Sequence, residues 1–173
     1  MGEIILVTGG ARSGKSRFAE SRAERFGFPL LYLATATPHD REMEARIARH
    51  RMRRGGGWVT VESPREIEEI LLSPPPHVRG ILLDCLTLWI TNLLFHHGED
   101  PEPVIQRVRD LAELFPRVPV PLVIVTNEVG SGIVPETPLG RLFRDLAGEA
   151  NQIVAKGADE LHLVVCGVPL RIR

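Results

Sequence analysis

Lysine is almost missing from this 173-residue chain: of its 21 basic side chains, only Lys15 and Lys156 carry an ammonium group. The bias toward arginine makes Lys15, which stands in a glycine-rich stretch, informative. At that position of a phosphate cradle a compact ammonium on a flexible stem fits better than a planar guanidinium. Aromatic residues are scarce, at 5%, and there are only 2 cysteines. Cys85 and Cys166 lie far apart among apolar residues, without metal-ligand spacing. This argues against a disulfide scaffold or a thiolate metal site and predicts two buried free thiols in a reducing compartment. Neither sign of charge dominates, since 21 Lys+Arg against 22 Asp+Glu leave a net charge of −1. Such a balance speaks against a general nucleic-acid binder and against disorder. No apolar run reaches the roughly eighteen residues of a membrane span, and the N-terminus enters a strand pattern without a charged leader. A cytoplasmic protein with no membrane span and no nucleic-acid partner is the expectation.

What the chain does have is a hydrophobic content of 43% in a length that suits one ordinary domain, here residues 1–173. Apolar runs recur along it: EIILVTG near residue 5, PLLYLATA near 32, WVTVE near 60, GILLDCL near 83, PLVIVTNEV near 125 and ELHLVVCG near 164. Four are near-continuous Val/Ile/Leu stretches, the pattern of parallel strands covered on both faces. Helical patterns fall between them at 15–26, 40–53, 64–72, 87–96, 102–115 and 138–156. The alternation predicts a doubly wound α/β domain with a mostly parallel sheet. A GVP turn and LRIR after Cys166 predict a short C-terminal antiparallel hairpin.

Gly9, Gly10, Ala11, Arg12, Ser13, Gly14, Lys15 and Ser16 match G-x-x-x-x-G-K-[ST], directly after a strand and at the start of a helix. In that context backbone N–H groups and the helix N-terminus cradle phosphates, Lys15 bridges the terminal ones, and the Ser16 hydroxyl is a ligand for Mg²⁺. Such a cradle needs a carboxylate at another strand end to hold the metal's water shell, and ILLDC supplies Asp84. Asp84 could also cap the helix that follows, a role that does not exclude the first, and the metal role is the preferred reading because strand ends in such sheets converge on the ligand crevice. Thr126, Asn127 and Glu128, after another apolar run, open toward the same crevice. They suit orientation of a substrate or water, or simple satisfaction of loop backbone.

His50 stands in ARIARHRMRR, where residues 46–54 hold five arginines and no acid. Met43, Ile47 and His50 fall on one helical face. A solvated basic face, a nucleic-acid patch and a nucleotide site all fit this pattern. In the last, arginines bind triphosphate oxygens and the imidazole attacks phosphorus.

Taken together, GGARSGKSRFAE, YLATA, ARIARHR, LLDCLTLWITNLL and VTNEVGSGIVPE resemble the bifunctional adenosylcobinamide kinase / adenosylcobinamide-phosphate guanylyltransferase family of cobalamin biosynthesis. The matching stretches run in order over nearly the whole chain. The resemblance implies a P-loop NTPase with a RecA-like sheet, a homotrimer, and two reactions. In one, ATP or GTP phosphorylates adenosylcobinamide. In the other, a histidine takes GMP from GTP and passes it to adenosylcobinamide phosphate, giving adenosylcobinamide-GDP. It implies that His50 is the guanylylated residue. Nucleotide contacts are implied for Gly9–Ser16, Ala34, Thr35, Ala36, Arg51, Met52, Arg53, Arg54, Glu62 and Asp84. Attack requires a neutral ring nitrogen, and neighbouring arginines disfavour the imidazolium form.

Overall fold

A computed structural model describes residues 2–37 and 55–173. Among them, seven strands form one sheet: β1 (Ile4–Thr8), β2 (Leu30–Ala34), β3 (Trp58–Glu62), β4 (Ile81–Asp84), β5 (Leu122–Val125), β6 (Glu160–Val165) and β7 (Val168–Arg171), in the order β3-β2-β4-β5-β1-β6-β7. All neighbours run parallel except β6 and β7, which form the antiparallel C-terminal hairpin read from the sequence. The helices are α1 (Lys15–Glu24), α2 (Glu68–Leu72), α3 (Leu86–His96), α4 (Pro101–Leu114) and α5 (Pro138–Gly157). The helical pattern at 40–53 lies outside the described residues.

Alternation along the strands explains the two cores. Ile5, Val7, Leu82, Val123 and Val125 meet Ala19 and Ala23 of α1 on one face. Ile4, Leu6, Leu83, Leu122 and Ile124 meet Trp89 of α3, Val108 of α4 and Val154 of α5 on the other. Because helices cover both faces, β1, β2, β4 and β5 have no polar side to show, so their sequences read as unbroken apolar runs. Edge strand β3 is only partly covered, and WVTVE accordingly mixes polar and apolar residues.

Two expectations fail for identifiable reasons. The helix predicted over 64–72 begins only at Glu68. The carbonyls that should open it are taken by side chains: Asn92 donates to Pro64 O at 2.9 Å, Trp89 Nε1 to Arg65 O at 2.7 Å, and Ser63 Oγ to Glu66 O at 2.7 Å. The thiols also differ from one another. Both are free, but only Cys85 is buried; Cys166 is exposed, with φ 51° in the β6–β7 turn.

Candidate active site

The parallel register aligns the C-terminal strand ends. Ala34 pairs with Glu62 on one side and with Asp84 on the other; Val125 pairs with both Asp84 and Val7. One row therefore runs Glu62, Ala34, Asp84, Val125, Val7, and the glycine loop leaves β1 just beyond Val7. Four inter-strand spacings make this edge about 19 Å long.

At its β1 end, Gly9–Gly14 curls over the start of α1. Gly14 is the N-cap of α1 at φ 93°, a left-handed conformation that disfavours a side chain. A Cβ on Gly9 would lie 2.5 Å from the carbonyl oxygen of Val164. Both glycines are thus required by the turn and not merely tolerated. Lys15 is buried and donates Nζ to Gly10 O at 3.1 Å, so its ammonium is folded back over the loop. Thr8 Oγ1 and Ser13 Oγ are buried without a hydrogen-bond partner among the described residues. Buried hydroxyls left without partners are costly, and here they lie where the loop presents its amides. The open helix terminus and these donors suit phosphate oxygens.

At Asp84 the two sequence readings separate. The N-cap of α3 is Cys85, whose Sγ accepts from Leu88 N at 3.5 Å, so Asp84 does not cap the helix. Its Oδ2 accepts from the Tyr32 hydroxyl at 2.8 Å. Thr35 braces the same turn: its Oγ1 donates to Cys85 O at 2.7 Å and accepts from Cys85 N at 2.8 Å. Its hydroxyl is therefore committed to the backbone of Cys85, the residue that follows Asp84. Burial, reinforced by the Asp84 charge and opposed by Lys15, pushes the Cys85 thiol up to about 12, which leaves it inert at neutral pH. Asp84 and Lys15 thus exert opposite fields at one buried atom. Ser16 and Asp84 offer hard oxygen donors, a set that fits Mg²⁺, an ion that keeps waters and binds phosphates alongside one or two protein oxygens.

Beyond β5 the ladder with β1 continues, with Thr126 N donating to Val7 O at 2.9 Å and Glu128 N to Gly9 O at 3.1 Å. The structure so brings Gly9–Ser16, Asp84 and Thr126–Glu128 to one end of the sheet, with Ala34, Thr35, Ala36 and Glu62 extending the same edge. His50, Arg51, Met52, Arg53 and Arg54 lie outside the described residues. Sequence reading missed Tyr32 and Asn151. For Asn151 a signal exists: it shares the buried stripe Ala147, Ala150, Val154 of α5, where an asparagine is out of place unless it is bonded.

A parallel sheet with a glycine loop after β1, the opening lysine of α1 below it, and an acid two strands away defines a P-loop NTPase of α/β class. The crystal structure of the RadB recombinase has this fold: it superposes with a TM-score of 0.52 at 11% identity, covering 93% of this chain and 73% of that one. Over residues 5–172 the sequence matches the family described as cobinamide kinase / cobinamide phosphate guanyltransferase, and the chain belongs to that family. It is 42% identical to the bifunctional adenosylcobalamin biosynthesis protein CobU of Escherichia coli K12, over 98% of this chain and 99% of that protein. The CobU protein of Salmonella typhimurium LT2 is equally similar, at 42% over the same shares. The bifunctional protein CobP of Pseudomonas aeruginosa PAO1 is 40% identical over 97% and 96%.

Proposed function

We propose that this chain, acting as one catalytic domain, carries out two reactions at one sheet edge. The first transfers the γ-phosphoryl group of ATP or GTP to the hydroxyl on the aminopropanol arm of adenosylcobinamide. The second transfers GMP from GTP to adenosylcobinamide phosphate by way of GMP bound covalently to His50. Family membership supplies the substrates. The single structural observation that carries the reading is the continuous row from the glycine loop, past Asp84, to Glu62. A nucleoside triphosphate lying along it has its phosphates in the cradle and its base toward Glu62.

Lys15 and the loop amides bind the β- and γ-phosphate oxygens, which assists the kinase step and equally favours departing diphosphate. One cradle thereby serves both chemistries. Ser16 and Asp84 would hold Mg²⁺, which supplies charge neutralisation at the phosphate oxygens when bound. Tyr32 and Thr35 keep the Asp84 carboxylate in place. In the second reaction a neutral nitrogen of His50 forms a bond to the α-phosphorus while the bond to diphosphate breaks. Arg51, Arg53 and Arg54 supply positive charge to the phosphates and disfavour protonation of the ring.

The homotrimer implied by resemblance is supported by the hairpin. Val165, Val168, Leu170 and Ile172 are all exposed, an apolar group that suits contact with a second copy. Among the described residues no helix is long and apolar enough to cross a membrane, and we place the enzyme in the cytoplasm.

Incubation with adenosylcobinamide and γ-labelled nucleotide, then with adenosylcobinamide phosphate and α-labelled GTP, tests the reading. Label must reach the corrinoid in both cases. Transfer of the γ label alone would reduce the protein to a one-step kinase, and transfer of neither would leave a nucleotide-binding protein.

A further inference from the structure

Behind the site, four residues from three elements close a ring of hydrogen bonds. The amide of Asn127 donates to Thr87 Oγ1 at 2.8 Å, and Thr87 Oγ1 lies 3.2 Å from Thr126 Oγ1. Thr126 Oγ1 donates to Asn151 Oδ1 at 2.7 Å, and Asn151 Nδ2 donates to Asn127 O at 3.1 Å. The direction is fixed by proton count. Thr126 has one hydroxyl hydrogen and gives it to Asn151, so Thr87 must donate to Thr126. The Asn151 amide is equally fixed, because Asn127 O accepts only and must face Nδ2. Each donor feeds the next acceptor, and the circuit begins and ends on the backbone of Asn127.

Thr87 and Thr126 are buried, and a buried polar network left incomplete is costlier than none. An arrangement this complete at the end of one strand over-determines the Asn127 backbone. The position it fixes matters. Because residues 126 and 128 stay paired with Val7 and Gly9, strand alternation continues. Thr126 turns toward Asn151 on the side of α5, so Asn127 falls on the α1 side, as Asp84 does through its bond to Tyr32. β5 lies between β1, which carries the glycine loop, and β4, which carries Asp84. The Asn127 side chain is half-buried, and its carboxamide makes no hydrogen bond among the described residues.

We infer that this ring is the positioning device of the phosphoryl-transfer step, and that it presents the Asn127 carboxamide to the phosphoryl group in transit. The inference rests on the kinase reading above. In that step the acceptor hydroxyl oxygen forms the new bond to the γ-phosphorus, the bond to the β–γ bridging oxygen breaks, the nucleoside diphosphate leaves with the electron pair, and the hydroxyl proton passes to solvent. Negative charge shifts among the phosphoryl oxygens, where a fixed amide donor is most effective. Asn127 is the catalytic residue of this proposal, and Thr87 and Asn151 are positioning residues acting through it. Glu128, bonded to Gly9, carries the same constraint into the cradle.

The test compares Thr87→Val, Asn151→Leu, Thr87→Ser and Asn127→Ala with the unaltered chain, measuring kcat, KM and the Kd for Mg²⁺-nucleotide. Thr87→Val and Asn151→Leu should lower kcat by about tenfold or more, the scale of loss for a misplaced catalytic group, with Kd changed by less than about twofold. Thr87→Ser, which keeps the hydroxyl, should restore most of the rate. Asn127→Ala removes no side-chain bond, so it reports even if a ring variant fails to fold. It should lower kcat to a similar extent, and adding Thr87→Val should cost little more. Unchanged kcat in Asn127→Ala, a loss confined to KM or Kd, or full additivity of the two changes would each overturn the proposal. Acceptor-free hydrolysis of the nucleotide is measured in parallel. If the unaltered chain hydrolyses nucleotide but phosphorylates no corrinoid, the kinase reading fails while the hydrolysis rates still judge the ring. If it does neither, both fall.

Discussion

The amide of Gly167 donates to the carbonyl of Ser13 at 2.8 Å, which laces the turn of the C-terminal hairpin to the phosphate loop. The contact is tight, since a Cβ on Gly14 would lie 3.1 Å from the Cα of Gly167. The last strands of the chain therefore form part of the wall that shapes the cradle. A loop that curls freely in sequence terms is held from outside by residues more than a hundred positions away.

Gly14→Ala meets both the left-handed backbone at φ 93° and that neighbour. It should cost about 1–2 kcal/mol of stability, the range for a side chain in that conformation. Distortion of the cradle should weaken nucleotide binding by about tenfold, equivalent to roughly 1.4 kcal/mol. Thermal unfolding and a nucleotide titration check the two effects separately.

Asp84→Asn should abolish Mg²⁺-dependent phosphoryl transfer while leaving the fold intact, because the amide still accepts from Tyr32. Tyr32→Phe removes the 2.8 Å bond and keeps the carboxyl group itself. It should cost about 1 kcal/mol of stability and raise the Mg²⁺ concentration needed for half-maximal activity. Magnesium titrations of the two variants distinguish loss of the ligand from loss of its brace.

How much of this was legible in the sequence depends on how local each signal is. The cradle is a contiguous motif and the covered strands are contiguous apolar runs, so both read directly. Asp84 stands out in the sequence as a candidate, but whether it faces the site or caps α3 depends on Cys85 taking the cap, a choice made by tertiary packing. The late start of α2 has the same origin: Asn92 and Trp89, from a different helix, claim its opening carbonyls. In the sequence Asn127 is only one of three polar residues after β5. The ring that singles it out needs partners 40 and 24 residues away, and no local pattern announces them. The exposure of Cys166 follows from its place in a hairpin turn, which apolar neighbours in sequence conceal.

Glu160 gives an acid-range prediction. Its hydrogen bond with His162, at 2.8 Å, holds its carboxyl below the ordinary value; burial opposes this, and Arg22 and Arg171 add to it. A carboxylate with a depressed folded value stabilises the native state above its unfolded value and loses that contribution as pH falls through the folded one. The stability difference between the unaltered chain and Glu160→Gln should thus be full above about pH 4.5 and shrink below it. Because Arg22 lies on α1 and Arg171 on β7, both should loosen together. Denaturant unfolding of the two proteins across the acid range measures this directly.

Trp89 is fully buried, donates its indole N–H to Arg65 O at 2.7 Å, and has the Arg107 guanidinium 5.9 Å from its ring centroid. Trp89→Ala should cost about 3–5 kcal/mol, as expected for emptying a large core site. Trp89→Phe keeps an aromatic ring and much of the volume, so it should cost less, about 1–2 kcal/mol for the lost hydrogen bond and the smaller void. Denaturation midpoints of the pair separate packing from the bond that delays the start of α2.

The proposed second reaction requires that His50 become covalently joined to GMP at a site whose phosphate loop holds the departing diphosphate. The decisive experiment is the intact mass of the protein after exposure to GTP and Mg²⁺, with and without His50→Ala. The unaltered chain should gain the mass of one guanylyl group, lost again in acid, and the variant should gain nothing. A chain that binds GTP without any gain in mass, or a variant that gains as much as the unaltered chain, would rule out transfer through His50.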